Sequence, residues 1–295
     1  MKSSEMYTCT FAMSGENHVN NQILGDATNT HTLDVQDLTS MMDQLNSMET
    51  AKSAENCTAN IDKTELFNIR ALAGLSTHTG VPDAAVLVIK NGVDRMTNGS
   101  LDEAKQELLS KKTDKKYRAY GKVLNKKCRH NFMFGEHAQI ANYDVGQGTV
   151  YPWDSNPVHD SLRKSLALWC KLDEPLLVGE VNHYYDTEKC YIGFHGDSER
   201  SLVVGARYGA SEKMPLLFHC HSDGVPVGDT VRINLNDGDI YIMSKFAVGK
   251  DWKKRGSRSM ASIHWRHAAG NVATAQATHE KKMKAKERKR QLDSI

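Results

Sequence analysis

Asn182-His183-Tyr184-Tyr185-Asp186-Thr187-Glu188-Lys189-Cys190-Tyr191-Ile192-Gly193-Phe194-His195-Gly196-Asp197-Ser198-Glu199 is the stretch on which the reading of this chain turns. Its second half is a short aromatic strand that runs into a His-x-Asp pair, His195 and Asp197. At a strand end such a pair can aim one imidazole and one carboxylate at the same point. A histidine from a distant strand would complete one face of a coordination octahedron and leave three positions open for a bidentate co-substrate and dioxygen. A second His-x-Asp, His221-Ser222-Asp223, acts as an internal control. Its setting, Ser222-Asp223-Gly224-Val225-Pro226, is that of a loop between strands.

On either side of His195 the chain reads as β-rich from about 176 to 268. Strands are predicted at 176–178, 191–194, 201–208, 216–218, 230–235 and 239–243, with Asp237-Gly238 as a tight-turn signal between the last two. Many short strands at this spacing point to a sandwich or barrel and not to a parallel sheet. Upstream, the apolar run Ala84 to Ile89 closes at Asn91-Gly92 and reads as a buried strand. Helices are expected over 101–111 and 158–172, the second with Leu162 and Leu166 on one side and Arg163 and Lys164 on the other. Residues 1 to 60 are rich in Ser, Thr, Asn and Met. They read as a poorly ordered segment holding one short amphipathic helix, on which Leu38, Met41, Met42, Leu45 and Met48 recur at three- and four-residue spacing. The fold class is therefore mainly β with flanking helices, a core domain over 61–275 and a basic tail over 276–295.

Composition is that of an ordinary globular chain, 39% hydrophobic and 25% charged in 295 residues. No apolar stretch is long enough to span a membrane, and the first residues lack a signal-peptide core, so an intracellular protein with no membrane association is expected. Six scattered cysteines without a CxxC pair read as reduced thiols. The net charge of +2 is uneven: Lys281 to Arg290 carries seven Lys/Arg and one Glu, leaving the remainder mildly acidic. That tail is an electrostatic handle for phosphates, hence for nucleic acid. No Walker loop or nucleophile elbow is present, and on a regular strand His219-Cys220-His221 would divide its cysteine from its histidines.

The order Asn182-x-Tyr184, then Ile192-Gly193-Phe194-His195-x-Asp197-x-Glu199, then a strand, then Asp237-Gly238-Asp239-Ile240-Tyr241-Ile242-Met243, resembles the AlkB-like branch of the 2-oxoglutarate- and iron(II)-dependent dioxygenases. Arg129 to Gly135, followed by Tyr151-Pro152-Trp153 and a helix, is similar to the substrate-side strand and helix of that family. The resemblance covers roughly residues 117 to 270. It implies a double-stranded β-helix, or jelly roll. It also implies Fe(II), 2-oxoglutarate and O2 as the reaction partners, and hydroxylation or oxidative demethylation as the outcome. Carried over, His195 and Asp197 are iron ligands, and Asn182 and Tyr184 contact 2-oxoglutarate. Glu199 either supports a ligand or is an exposed charge. No catalytic residue beyond the metal ligands is implied.

The chain departs from the pattern at the distal histidine, where Asp251-Trp252-Lys253-Lys254 places lysine. The next histidines are His264 and His267. His267-Ala268-Ala269-Gly270 is similar to the distal motif of prolyl-hydroxylase-like members of the same superfamily, which favours His267. Strand alternation would then turn Arg266 away from the metal. The distal carboxylate of 2-oxoglutarate calls for a cation, best an arginine. Arg207, in the apolar run Leu202 to Tyr208, and Arg266 compete for that role. A modified nucleic acid is the expected substrate class, with a protein side chain as runner-up. The rival of a different class is a catalytically silent jelly-roll binding module.

Overall fold

The apolar run predicted as a strand forms one over Ala85–Ile89, and all five of its residues are buried, as a continuous apolar strand must be when both faces are covered. The computed structural model describes residues 4–18, 21–56 (backbone only from 51), 63–172, 176–209, 212–252 and 263–270, with separate positions between 277 and 288. In chain order β1 (Met6–Ala12), β2 (Ser14–His18) and β3 (Gln22–Gly25) precede α1 (Val35–Asn56). Then come β4 (Thr64–Asn68), α2 (Ile69–Leu72), β5 (Ala85–Ile89), α3 (Gly92–Thr97) and α4 (Leu101–Leu109). The hairpin β6 (Lys116–Ala119) and β7 (Lys122–Asn125) leads to β8 (His130–Gly135), β9 (Val150–Pro152) and α5 (Pro157–Trp169). The last part holds β10 (Val178–Tyr184), β11 (Tyr191–His195), β12 (Val203–Tyr208) and β13 (Leu216–Ser222). It ends with β14 (Val225–Ile233), β15 (Ile240–Met243), α6 (Lys245–Val248) and β16 (Ile263–Gly270).

Two sheets carry the fold. The larger has eight strands in the order β4-β5-β15-β12-β1-β10-β8-β9, and the smaller has four, β11-β16-β13-β14. The facing sides enclose one core in which Val86, Val203 and Met243 of the large sheet meet Phe218, Val231 and Trp265 of the small one. The outer side of the large sheet is covered by helices. Leu38, Met41 and Leu45 of α1, Leu108 of α4 and Leu162 and Leu166 of α5 pack there on Cys9, Phe11, Phe134 and Val204. The fold is therefore mainly β with flanking helices.

From β10 the chain crosses from sheet to sheet: β10 large, β11 small, β12 large, β13 and β14 small, β15 large, β16 small. This alternation is the double-stranded β-helix. One more crossing would return a strand to the large sheet between β10 and β12. That place is filled by β1, from the opposite end of the sequence, paired to β10 through Thr8↔Asn182 and to β12 through Thr8↔Arg207. The expectation of a loosely ordered N-terminus is thus corrected, because β1 is central and wholly buried. Its polar letters misled the sequence reading: Tyr7, Cys9 and Phe11 face the helices, whereas Met6, Thr8 and Thr10 face the space between the sheets. A strand that lines a polar chamber does not show an apolar pattern.

Other expectations change in detail. Asp237-Gly238 is a turn, with Gly238 at φ 81°, but it joins strands of different sheets and not a hairpin pair. The two-residue hairpin turn is Asp223-Gly224, both at positive φ, joining β13 to β14. None of the five cysteines among the described residues is in a disulfide. No helix among the described residues is long and apolar enough to cross a membrane. The described positions of the basic tail, such as Lys281, Lys284 and Arg288, are helical and exposed. Lys253 and Lys254 lie outside the described residues.

Candidate metal centre

Strands β11 and β16 pair so that His195 stands opposite His267, with a one-residue irregularity between Ile192 and His195. A bulge of this kind re-aims the side chain that follows it. The two imidazole centroids lie 4.3 Å apart. Asp197, just past the end of β11, completes the group. Its Oδ1 is 3.4 Å from His195 Nε2 and 3.9 Å from His267 Nε2. One ligand atom from each of the three residues lies within 4.8 Å of the others.

Each imidazole is oriented by a backbone carbonyl. His195 Nδ1 donates to the Gly193 carbonyl at 2.8 Å. The His267 ring is bonded by the Val248 carbonyl, and the same carbonyl accepts from the Asp197 amide at 3.1 Å. One carbonyl at the end of α6 thereby fixes two of the three groups. Gly249 allows this close packing: at φ 72° a Cβ there would lie 2.7 Å from the Trp265 carbonyl oxygen. With Nδ1 bonded to backbone, both Nε2 atoms are turned toward Asp197, the arrangement that prepares histidine for a metal. His267 Nε2 is buried and has no hydrogen-bond partner.

Charge is tuned the same way. Burial, with His195 adding to it, lowers the His267 pKa to about 3, so its imidazole stays neutral. Burial would raise Asp197, but the Arg200 guanidinium outweighs it, helped by His195 and His267, and the carboxylate is ionised. Arg200 Nε is 3.6 Å from Asp197 Oδ2. Its Nη2 holds Glu180 at 2.6 Å and Glu199 at 2.8 Å. Glu199 therefore acts on Arg200 and is not a free surface charge. Two imidazoles and one ionised carboxylate, with an orphaned buried nitrogen among them, fit a divalent transition metal with open positions.

A chamber of about 250 Å³ adjoins the triad between the sheets. Asn182, Tyr184 and Arg207 line it, as do Thr8, Thr10, Glu180 and Tyr241. Asn182 accepts from Arg129 Nε at 2.7 Å and donates to Glu180 at 3.0 Å. Arg207 is 1% exposed. Its Nη1 donates to the Met214 carbonyl and the Met6 sulfur, each at 2.8 Å, and its Nε has no partner. Among the described residues no carboxylate pairs with it, so a buried guanidinium faces the chamber with only neutral acceptors.

Arg266 is not brought to the chamber. It turns to the other side of β16, where its Nε contacts His264 Nε2 at 3.1 Å. The alternation that exposes His267 to Asp197 imposes this. His264 stacks on His221 with centroids 5.7 Å apart, away from the triad, and Asp223 sits in the hairpin turn. Neither joins the metal group. Arg200, Glu180, Thr8, Thr10 and Tyr241 were missed in the sequence. Tyr241 sits in the quoted Asp-Gly-Asp-Ile-Tyr run and was within reach of the strand pattern, but Thr8 and Thr10 carried no signal.

No family model matches the chain. A protein of Acanthamoeba polyphaga mimivirus named "Uncharacterized protein R156" is 37% identical to it over 269 residues, which cover 90% of this chain and 96% of the viral protein.

Proposed function

Because the chain belongs to one family with the mimivirus protein R156, whose name states no activity, we propose its function from its own residues: a 2-oxoglutarate- and iron(II)-dependent dioxygenase. The observation that carries this reading is the meeting of His195, Asp197 and His267 beside a chamber that holds an uncompensated buried arginine. When bound, a ferrous ion and 2-oxoglutarate would with dioxygen supply oxidation of a C–H bond, one oxygen atom going to the substrate and the other to succinate as carbon dioxide leaves. The protein's residues do the rest. His195, Asp197 and His267 would hold the ion by three side chains, leaving its other positions for the acid and oxygen. Arg207, with Tyr184, offers cationic and hydroxyl donors to the far carboxylate, and the apolar core around Phe218 and Trp265 excludes water. The second imidazole at His267 favours an enzyme over a silent binding module.

For the substrate, a modified nucleic acid is favoured by a basic wall that the sequence reading passed over. From Lys111 to Arg129 the chain carries nine Lys/Arg and one acidic residue. This segment includes the β6–β7 hairpin, and Tyr120 in its turn is 96% exposed. With the following loop the hairpin bounds a groove of about 650 Å³, lined by Tyr117, Lys126, Lys127 and Arg129. The groove shares Glu16, Arg129, Glu180 and Asn182 with the chamber, so the two adjoin. Cations beside exposed aromatics suit a phosphodiester strand. A protein side chain would gain little from so many cations.

The test is succinate release from 2-oxoglutarate by the purified chain with Fe(II) and oxygen. Turnover that needs iron and is lost in His195→Ala and Asp197→Ala supports the proposal. A well-folded chain that binds neither Fe(II) nor 2-oxoglutarate would end it.

A further inference from the structure

An unbroken line of polar contacts leads from the metal group to the groove. Arg200 Nε lies 3.6 Å from Asp197 Oδ2, and its Nη2 donates to Glu180 Oε2 at 2.6 Å. The other Glu180 oxygen, Oε1, accepts from Asn182 Nδ2 at 3.0 Å. Asn182 Oδ1 in turn accepts from Arg129 Nε at 2.7 Å. Glu180 and Asn182 are two residues apart on β10, so both side chains stand on one face of the large sheet. Arg129, just before β8, is half-buried and borders the groove as well as the chamber.

The inner members are withdrawn from water: Asp197, Arg200, Glu180 and Asn182 are 8%, 6%, 7% and 8% exposed. Charges in such surroundings act on one another several times more strongly than in solvent, and salt screens them little. Three carboxylates, Asp197, Glu199 and Glu180, stand against two guanidinium groups, Arg200 and Arg129, which leaves a net charge of minus one. Arg200 is shared between Glu180 and Asp197. An anion that takes up Arg129 removes the outer positive charge from the neighbourhood of Glu180. Glu180 then draws more on Arg200, and Asp197 keeps more of its own charge for a cation. The charge count points the same way. A divalent cation turns the net from minus one to plus one, and a single phosphodiester charge returns it to zero.

We propose that Arg129, Asn182, Glu180 and Arg200 form a positioning relay through which a phosphate seated in the groove tightens the hold of Asp197 on its metal ion. The inference rests on the reading of the groove as a nucleic-acid site. Through this line the metal centre responds to the presence of substrate. By linkage the effect is mutual, so the metal must tighten the phosphodiester strand by the same factor.

The experiment uses the full chain and a dye-labelled oligothymidylate, whose affinity is read by fluorescence anisotropy at fixed ionic strength with and without Mn(II), against a blank of oligonucleotide and Mn(II) alone. In the unsubstituted chain Mn(II) should tighten the oligonucleotide about fivefold, the lower end of ordinary coupling between sites. Glu180→Gln leaves Arg129 in the groove, and the Mn(II) effect should drop to about twofold or less. Arg129→Gln, at a half-buried position where folding is not at stake, should lose the effect as well. Lys127→Gln, an exposed groove cation outside the relay, should weaken the oligonucleotide yet keep the full Mn(II) effect. Persistence of the effect in Glu180→Gln and Arg129→Gln, or equal loss in Lys127→Gln, marks plain attraction across the groove and overturns the relay. An unsubstituted chain that binds Mn(II) and the oligonucleotide independently overturns it too and leaves the proposed function standing. If that chain binds no oligonucleotide, or no Mn(II), the corresponding part of the proposed function falls and takes this inference with it.

Discussion

Replacing Arg207 by methionine tests whether the guanidinium is there for the fold or for a ligand, because the two roles predict opposite signs. In the structure it is fully buried and bonds two neutral acceptors, the Met214 carbonyl and the Met6 sulfur. Those bonds contribute about 1.5–3 kcal/mol each at most. Against them stands a desolvation cost of several kcal/mol for the ion, with no carboxylate to offset it. An apolar side chain of similar volume should therefore leave stability unchanged or raise it by about 2 kcal/mol, since such replacements are often neutral or stabilising. For a domain of this size that is a Tm rise of up to roughly 6 °C. A structural ion pair would instead lose about 3–5 kcal/mol on the same change. Binding should move the other way. Loss of the cation facing a buried carboxylate costs about 2–5 kcal/mol, and at 1.4 kcal/mol per decade this is roughly thirtyfold or more in 2-oxoglutarate affinity. Scanning calorimetry and titration of the Mn(II)-loaded chain read both quantities. A Tm that falls by about 10 °C with unchanged acid affinity would refute the reasoning and make Arg207 a packing residue.

Three further outcomes follow from the same geometry. His267→Ala should abolish Mn(II) binding measured by calorimetry while His264→Ala leaves it intact, and Arg200→Met should weaken it about 10–100-fold because Asp197 loses its orienting cation; equal effects at 264 and 267 would contradict the ligand assignment. Burial, reinforced by His183, lowers the His130 pKa from 6.5 to about 4. The unfolded chain thus binds more protons in that window and stability falls as the pH drops through it; urea midpoints should show this slope, and His130→Gln should flatten it. Reversing two exposed cations of the basic wall, Lys122→Glu with Lys127→Glu, should lower affinity for a single-stranded oligonucleotide and make its salt dependence shallower by about 0.7 in log–log slope per cation lost; an unchanged slope in filter binding would remove the wall from the interface.

What could be read from the sequence followed from local periodicity and from chemistry concentrated in one segment. The strands around His195 and the helix that became α5 rested on spacing within a few residues, the choice of His267 over His264 rested on a motif resemblance, and alternation on β16 placed Arg266 on the side away from His267. What escaped depended on contacts between distant parts of the chain. The strand completing the β-helix came from the N-terminus and not from beyond β16, and its threonines looked like loop residues. Arg266 was offered as the co-substrate cation by analogy with a C-terminal strand. Here the corresponding place is held by β1, which has no arginine, and the buried guanidinium that lines the chamber is Arg207 on its neighbour. Arg200 was invisible as a partner of Asp197 because its value lies in joining Glu180 to Asp197, and Glu180 lies on another strand.

The position of β1 also bears on how the molecule is made. Its hydrogen-bonding partners begin at Val178 and extend to Tyr208, so this strand is not paired on both edges until some two hundred residues after it have been made. At about 5–20 residues per second that is a wait of roughly ten to forty seconds. Pairings this remote in sequence also make for slow closure once synthesis ends. A segment whose apolar side, Tyr7, Cys9 and Phe11, stays unsheltered for so long is a natural client for a chaperone. In a recombinant host it would be the first place to look when the chain collects in inclusion bodies.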